Sequence, residues 1–204
     1  MFLDIAIGVV LGLGVRAVAA VDVPGGFALW GIVFALLPDV DFLVHRAVFR
    51  RDAMFDYRHR ELLHRPLLYV PLGVALAWWL SGSAPLAGLF AAASLWHFLH
   101  DSTGVGYGVQ WLWPFASHYI GLWHGGLAWV AGHKPVTFLR AVPRATVDAF
   151  VRARHRERQH DTARPHTSWI RTTYGRLSPT SILEYGVLLV AAVVTVCLIA
   201  CYMA

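Results

Sequence analysis

Long runs of apolar residues, rather than alternating apolar and polar positions, dominate this chain. Residues 181–203 form one such run, with Glu184 near its start as the single charge. Because a helix needs about 20 mostly apolar residues to cross the hydrocarbon core of a bilayer, this run predicts a transmembrane helix. Residues 2–21 form a second run, which Asp4 and Arg16 interrupt. We interpret this run as a retained helix, with a signal peptide as the alternative.

Three shorter apolar runs follow, at residues 26–37, 66–80 and 85–99. Their lengths fit shallow or bundle-packed spans as well as spans that are fully exposed to lipid. A further run, residues 119–131, has only about 13 residues, and this length favours an interfacial or re-entrant element. The expected fold class is therefore all-α: a polytopic transmembrane helical bundle with about five spans plus one interfacial or re-entrant helix.

The composition excludes several classes of protein. Hydrophobic residues make up 57% of the 204 residues and charged residues 14%, whereas a typical soluble domain has roughly 45–50% and about 25%. A soluble globular chain and a disordered chain are both inconsistent with these values. The two cysteines, Cys197 and Cys201, both lie in the last apolar run. They provide neither a disulfide framework nor a four-thiolate zinc site.

The basic residues predict the orientation of the chain in the membrane. Of 17 Lys and Arg residues, six lie within residues 46–65 and ten within residues 134–176, whereas the turns 22–25 and 81–84 contain none. Since basic loops stay on the cytoplasmic side, the N-terminus is expected inside and the C-terminus outside. We interpret the basic stretch 152–158 as part of a loop that sets topology. Binding of anionic lipid headgroups is an alternative, and nucleic-acid binding is unlikely by comparison.

Three polar clusters are expected at the cytoplasmic ends of these helices. They comprise Asp39 and Asp41 after the second run, His59 and His64 before the third, and His97, His100 and Asp101 at the end of the fourth. His97 and Asp101 share one face of a helix because they are four residues apart. Imidazole and carboxylate groups both bind zinc, so the clusters predict a divalent metal site, with one or two ions and zinc as the favoured metal.

This reading divides the chain into three parts. They are a membrane-embedded metal-site domain (1–130), a basic cytoplasmic loop (131–180) and a C-terminal transmembrane helix (181–204). Within the first part, Asp39 or Asp41 is the candidate general base, and Arg60 and Arg65 are candidates for holding an anionic substrate group. The glycines of segment 104–108 indicate either close approach to a ligand or a loop that requires positive φ.

The three clusters, in this order, resemble those of the bacterial inner-membrane-bound metal-dependent hydrolases, the YdjM-like family. The matching pieces are Leu37-Pro38-Asp39-Val40-Asp41, then His59-Arg60 with His64, then His97 and Asp101 followed by Thr103, a glycine and Leu112-Trp113-Pro114-Phe115. The resemblance covers roughly residues 1–120. It departs in the middle motif, where Glu61, Leu63 and Arg65 replace an expected glycine, threonine and serine, and at Phe42, where a histidine often stands.

The resemblance implies a metal-dependent hydrolase of the bacterial inner membrane. That family is similar in its metal-site pattern to zinc-dependent phospholipase C and the single-strand nucleases, which suggests a phosphodiester or a lipid-linked substrate at the cytoplasmic face. Two alternatives remain. One is a non-catalytic membrane scaffold or transporter, and the other is a di-iron oxidoreductase with histidine boxes. The second requires more histidines than these clusters supply, since no two histidines are adjacent.

Overall fold

The computed structural model describes residues 2–21, 23, 26–41, 44, 63–103, 108–124, 137–149, 152–153, 182 and 185–193. Helices predominate among them. The elements, in chain order, are helices α1 (Phe2–Ala19) and α2 (Gly26–Leu36), a 3₁₀ turn (Leu37–Asp39), helices α3 (Pro66–Ser81) and α4 (Ala84–Ser102), and strands β1 (His118–His124) and β2 (Thr137–Pro143). The chain divides into two compact units, one of residues 1–37, 70–97 and 169–204 and the other of residues 38–69 and 98–168.

Helices α1 and α2 of the first unit pack at backbone distance through glycine. A Cβ atom at Gly8 would come 2.5 Å from the carbonyl oxygen of Gly31, and one at Gly12 would overlap the carbonyl oxygen of Phe27. The partners run in opposite directions along the chain, so the two helices form an antiparallel hairpin. Small residues four apart allow this kind of close approach between membrane helices.

Aromatic packing forms the other part of the first unit's core. The rings of Phe34 on α2 and Phe90 on α4 meet edge to face, with their centroids 5.1 Å apart. The ring of Phe90 also occupies the space that a side chain at Gly73 of α3 would need. Glycines therefore allow α1 and α2 to pack closely, and the ring of Phe90 fills the space beside α3.

A β-hairpin lies in the second unit, where the sequence predicted an interfacial or re-entrant helix over residues 119–131. Strands β1 and β2 pair antiparallel, with Ile120 opposite Ala141, and Val109 bridges to Ile120 from the preceding segment. The predicted helix is wrong for residues 119–124. Apolar length alone does not distinguish helix from strand, and the pairing partner, β2, lies within the predicted basic loop 131–180.

Gly108 precedes that bridge and has a φ of +88°. A Cβ atom there would overlap the carbonyl oxygen of Ile120. The glycine is therefore required for positive φ and for close approach of two backbone segments, which is one of the two expectations for segment 104–108.

The structure does not support five full spans. Among the described residues, only α1 is both long and apolar enough to cross a membrane, and Gly26–Asp39 and Pro66–Ser81 are shorter apolar helices. Helix α2 has 11 residues, which at 1.5 Å per residue is about 16 Å, roughly half the hydrocarbon thickness. Helix α4 is long enough, but its last turns carry His97, His100 and Asp101.

Some predictions fall outside the described residues. They include the placement of His59 and Arg60, most of the 131–180 loop, and most of the C-terminal helix predicted for residues 181–203, of which residues 185–193 are described and helical.

The glycine contact between α1 and α2 yields a test with a control on the same helix. We expect Gly12→Ala to lower the free energy of unfolding of the detergent-purified protein by about 1–3 kcal/mol, because the new methyl group meets rigid backbone. Gly14→Ala should leave stability unchanged or raise it, since nothing lies within 4 Å of a Cβ atom there and alanine favours helix. Equal losses for both variants in thermal unfolding would contradict this packing.

Candidate metal centre

The turn after α2 supplies two carboxylates to the candidate metal centre. Pro38 is buried in the 3₁₀ turn that follows α2. Asp39 and Asp41 come directly after it and differ sharply in environment, since the side chain of Asp39 is 41% exposed whereas Asp41 is 1% exposed. The turn therefore presents one accessible carboxylate and one that is enclosed.

His64 contacts carboxylates on both sides of its ring. Its Nδ1 atom lies 3.0 Å from Oδ2 of Asp41 and forms a buried hydrogen bond. Its Nε2 atom lies 3.1 Å from Oδ2 of Asp101 and 3.7 Å from Oδ1 of Asp39. The imidazole thus joins the turn after α2 to the end of α4.

Helix α4 carries the remaining donors. His97 and Asp101 lie one helical turn apart on this continuous helix, which fixes their spacing. Asp39, His64, His97 and Asp101 each offer one nitrogen or oxygen atom, and these four atoms lie within 4.8 Å of one another. Four of the seven sequence-predicted ligands are therefore brought together.

The donor set fits a divalent cation. Two imidazoles and two carboxylates are ligands that zinc accepts, and tetrahedral ligands at about 2.0–2.2 Å from an ion lie about 3.4 Å from each other. A separation of at most 4.8 Å needs only small side-chain movements to reach this geometry. Two of the four residues, His64 and His97, are only 1% exposed, so an ion would be shielded from bulk solvent on their side.

Asp41 holds His64 rather than joining the four donors. Besides the bond from Nδ1 of His64, its Oδ2 atom accepts a hydrogen bond of 3.3 Å from the backbone N–H of Leu63. With its Nδ1–H donating to Asp41, the imidazole has its Nε2 atom facing the other candidate metal ligands. A carboxylate that binds the second nitrogen of a ligating histidine fixes both the tautomer and the ring orientation.

The charge of the site acts on the pKa of His64. Burial of the ring is the largest single influence and lowers this pKa, but the hydrogen bonds to Asp101 and Asp41 and their negative charges outweigh it. The net effect raises the pKa of His64 to about 9 from 6.5. In the absence of a bound cation, the protonated imidazole is therefore the positive charge that the surrounding carboxylates share.

Aromatic rings enclose the site. The ring of Phe98 packs edge to face against His64, with centroids 5.8 Å apart, and against Tyr69 at 5.5 Å. Trp111 also contacts Phe98 and donates a hydrogen bond from its indole nitrogen to Ser102. These contacts hold the end of α4 and the segment before α3 in a fixed relation.

Arg65 lies next to the site in the chain. Its guanidinium carbon is 3.8 Å from the centroid of the Trp113 ring, which is cation–π distance. The Nε atom is buried, and within the described residues its N–H donates no hydrogen bond. The stacking contact thus holds the guanidinium of Arg65 near His64 in the chain, and its Nε–H is available to donate a hydrogen bond.

The other predicted residues occupy different places. His100 is not a member of the four-donor group, and its carbonyl oxygen accepts a hydrogen bond from the Thr103 hydroxyl. His59 and Arg60 lie outside the described residues. Asp4 was not predicted as a site residue, yet its Oδ1 atom lies 3.9 Å from Nδ1 of His97. The available signal was a carboxylate within an apolar helix, where charges usually mark function.

The sequence model of one protein family, the YdjM inner membrane proteins, matches residues 4–203. The chain belongs to this family. The resemblance drawn from the three polar clusters is thereby confirmed, and it extends over nearly the whole chain rather than ending near residue 120. Membership also supports the predicted inner-membrane location. No curated protein and no solved structure matches the chain.

Two neighbouring histidines of α4 provide a matched test of metal binding. We expect the purified protein to carry a divalent ion and His97→Ala to lose it, because a donor is removed from the group. His100→Ala should keep the ion, since this residue is not part of the group. Metal content by mass spectrometry decides the matter, and equal content in all three proteins would contradict the site.

The raised pKa of His64 predicts how stability depends on pH in the metal-free protein. Because the folded pKa of about 9 exceeds the ordinary value of about 6.5, the stabilisation is fully present below about pH 6.5 and is lost as pH rises through about 9. Thermal unfolding of chelator-treated protein should therefore show a melting temperature that falls over this interval. His64→Gln should flatten the dependence, and a wild-type curve equally flat would overturn the assignment.

Proposed function

We propose that this protein is a membrane-bound metal-dependent hydrolase that acts on a phosphodiester or lipid-linked substrate at the cytoplasmic face of the inner membrane. The observation that carries the proposal is the group of two histidines and two aspartates whose donor atoms lie within 4.8 Å of one another. Zinc is the favoured ion, because the nitrogen and oxygen donors are those it accepts.

The different exposures of the carboxylates suggest a division of roles. His64, His97 and Asp101 are the proposed ligands, and three protein ligands with one open position are typical of catalytic zinc sites. Asp39, whose side chain is 41% exposed, is the carboxylate that an attacking water can reach. We assign it to accept the proton of that water as general base. When bound, the ion supplies Lewis acidity towards the water and the phosphoryl or acyl oxygen.

Arg65 is the proposed anchor for an anionic group of the substrate. Its guanidinium is held against Trp113 directly after a proposed ligand in the chain, so its position relative to the ion is constrained. Guanidinium groups bind phosphate oxygens with paired donors. This arrangement favours a phosphodiester over a neutral ester as substrate.

Exposed apolar side chains support a site at the membrane. On α3, which begins just after His64 and Arg65, Leu72 is 67% exposed and Trp79 is 80% exposed. A soluble protein rarely leaves a helix face so apolar, whereas lipid solvates it without cost. Together with the basic residues before α3, this favours a multi-pass chain with the metal centre and the N-terminus on the cytoplasmic side.

A comparison of substrates and variants tests the hydrolase assignment. The detergent-purified, zinc-loaded protein is expected to cleave bis-p-nitrophenyl phosphate and phospholipid in mixed micelles, and chelation should abolish turnover. Asp39→Asn should lower kcat by about 10²–10⁴-fold while retaining zinc, because a general base is removed rather than a ligand. Arg65→Gln should chiefly raise KM for the anionic substrates.

The control for Arg65 is a neutral ester such as p-nitrophenyl acetate, whose KM should not respond to that substitution. Turnover that survives complete chelation would reject metal-dependent hydrolysis. Zinc binding without cleavage of any of these substrates would favour the non-catalytic alternative, in which the ion or the basic loop has a structural or binding role.

A further inference from the structure

Asp4 lies where an isolated charge is costly. It stands in the first turn of α1, whose other residues are apolar apart from Arg16 in the last turn, and it is only 1% exposed. A carboxylate removed from water in this way needs a partner with positive charge or a donated proton. Nδ1 of His97 lies 3.9 Å from Oδ1 of Asp4, which is beyond hydrogen-bond distance but close enough for a small side-chain movement to bring the two groups together.

The packing of α1 against α2 fixes the position of Asp4 along the helix hairpin. Gly8 lies against Gly31, and Gly12 lies against Phe27. The two helices therefore pack antiparallel. This antiparallel register places Asp4 level with Ala35 near the end of α2. Because the contacts are between backbone atoms, α1 cannot slide along α2 without steric overlap. The position of Asp4 is thereby set by glycines along the same helix.

His64 also has a buried carboxylate beside Nδ1, and here the two groups are within hydrogen-bond distance. Its Nδ1 atom is bound by the buried carboxylate of Asp41, at 3.0 Å, with both side chains 1% exposed. Each of the two histidines in the four-donor group thus has a buried carboxylate near Nδ1, at 3.0 Å for His64 and at 3.9 Å for His97. Carboxylates in this position orient a ligating imidazole and increase its basicity.

We propose that Asp4 is a positioning residue of the metal centre, which accepts the Nδ1 proton of His97 and so presents Nε2 of that histidine to a divalent cation. This inference rests on the proposed metal centre. It assigns no contact between Asp4 and the ion. The simplest competing role is purely structural, since an acidic residue in the first turn also complements the positive end of a helix.

Cobalt titration of the detergent-purified full chain separates these roles. Co²⁺ gives an absorption spectrum that reports ligand number and geometry, and competition with zinc gives the affinity of both ions. We expect Asp4→Ala to weaken Co²⁺ and zinc binding by about 10–100-fold while the spectrum of the bound cobalt keeps its coordination number. Asp4→Asn should lose less affinity, because its amide oxygen still accepts the Nδ1 proton.

The matched control is Ser94→Ala, which removes a fully buried hydroxyl from α4 at the position three residues before His97. Its affinity for cobalt should equal that of the wild type. Thermal unfolding of the metal-free variants shows whether each one folds, and Asp4→Asn preserves the size of the side chain if Asp4→Ala does not fold.

Three results would overturn the inference. Wild-type affinity in both Asp4 variants would leave Asp4 with only a structural role. Loss of binding as complete as in His97→Ala, with a changed cobalt spectrum, would make Asp4 a ligand instead. Absence of cobalt and zinc binding by the wild type would reject the metal centre itself. The first two results, in contrast, would reject only the positioning role of Asp4.

Discussion

Buried imidazoles of this protein lie against carboxylates, and the polar end of the structure is organised around these pairs. Ionised groups removed from water are tolerated only where an opposite charge, a proton donor or a metal ion meets them. His64 satisfies this requirement between Asp41 and Asp101, with contacts of 3.0 Å and 3.1 Å. The contacts join segments that are far apart in the chain, namely the turn after α2, the segment before α3 and the last residues of α4.

The apolar parts of the chain position these polar groups. Close glycine packing between α1 and α2 sets the register of one hairpin, and Pro38 in the turn that follows carries the chain out of α2 directly into the two aspartates. At the other side, Phe98 packs against His64 on the helix that supplies His97 and Asp101. A small polar centre is thus set within a mostly apolar chain.

Local sequence features predicted the helices well. The apolar runs at 2–21, 26–37, 66–80 and 85–99 became α1 to α4 with boundaries shifted by at most a few residues, because proline, glycine and polar residues mark their ends. The spacing of His97 and Asp101 predicted half of the donor group for the same reason. Long-range effects were not predictable: the pairing of β1 with β2 depends on a distant segment. The contact of Asp4 with His97 depends on how two separate helices pack. The expectation of about five full spans was too high, since the run at 26–37 has only 12 residues and α2 has 11.

X-ray absorption at the zinc edge of the purified, zinc-loaded protein shows directly which atoms bind the ion. A site that contains His64 and His97 should give a first shell of nitrogen and oxygen atoms only, at about 2.0–2.2 Å, with outer-shell scattering from two imidazole rings. A shell that contains sulfur, or one with no imidazole scattering, would place the ion elsewhere in the chain and contradict the assignment of His64 and His97 as its ligands.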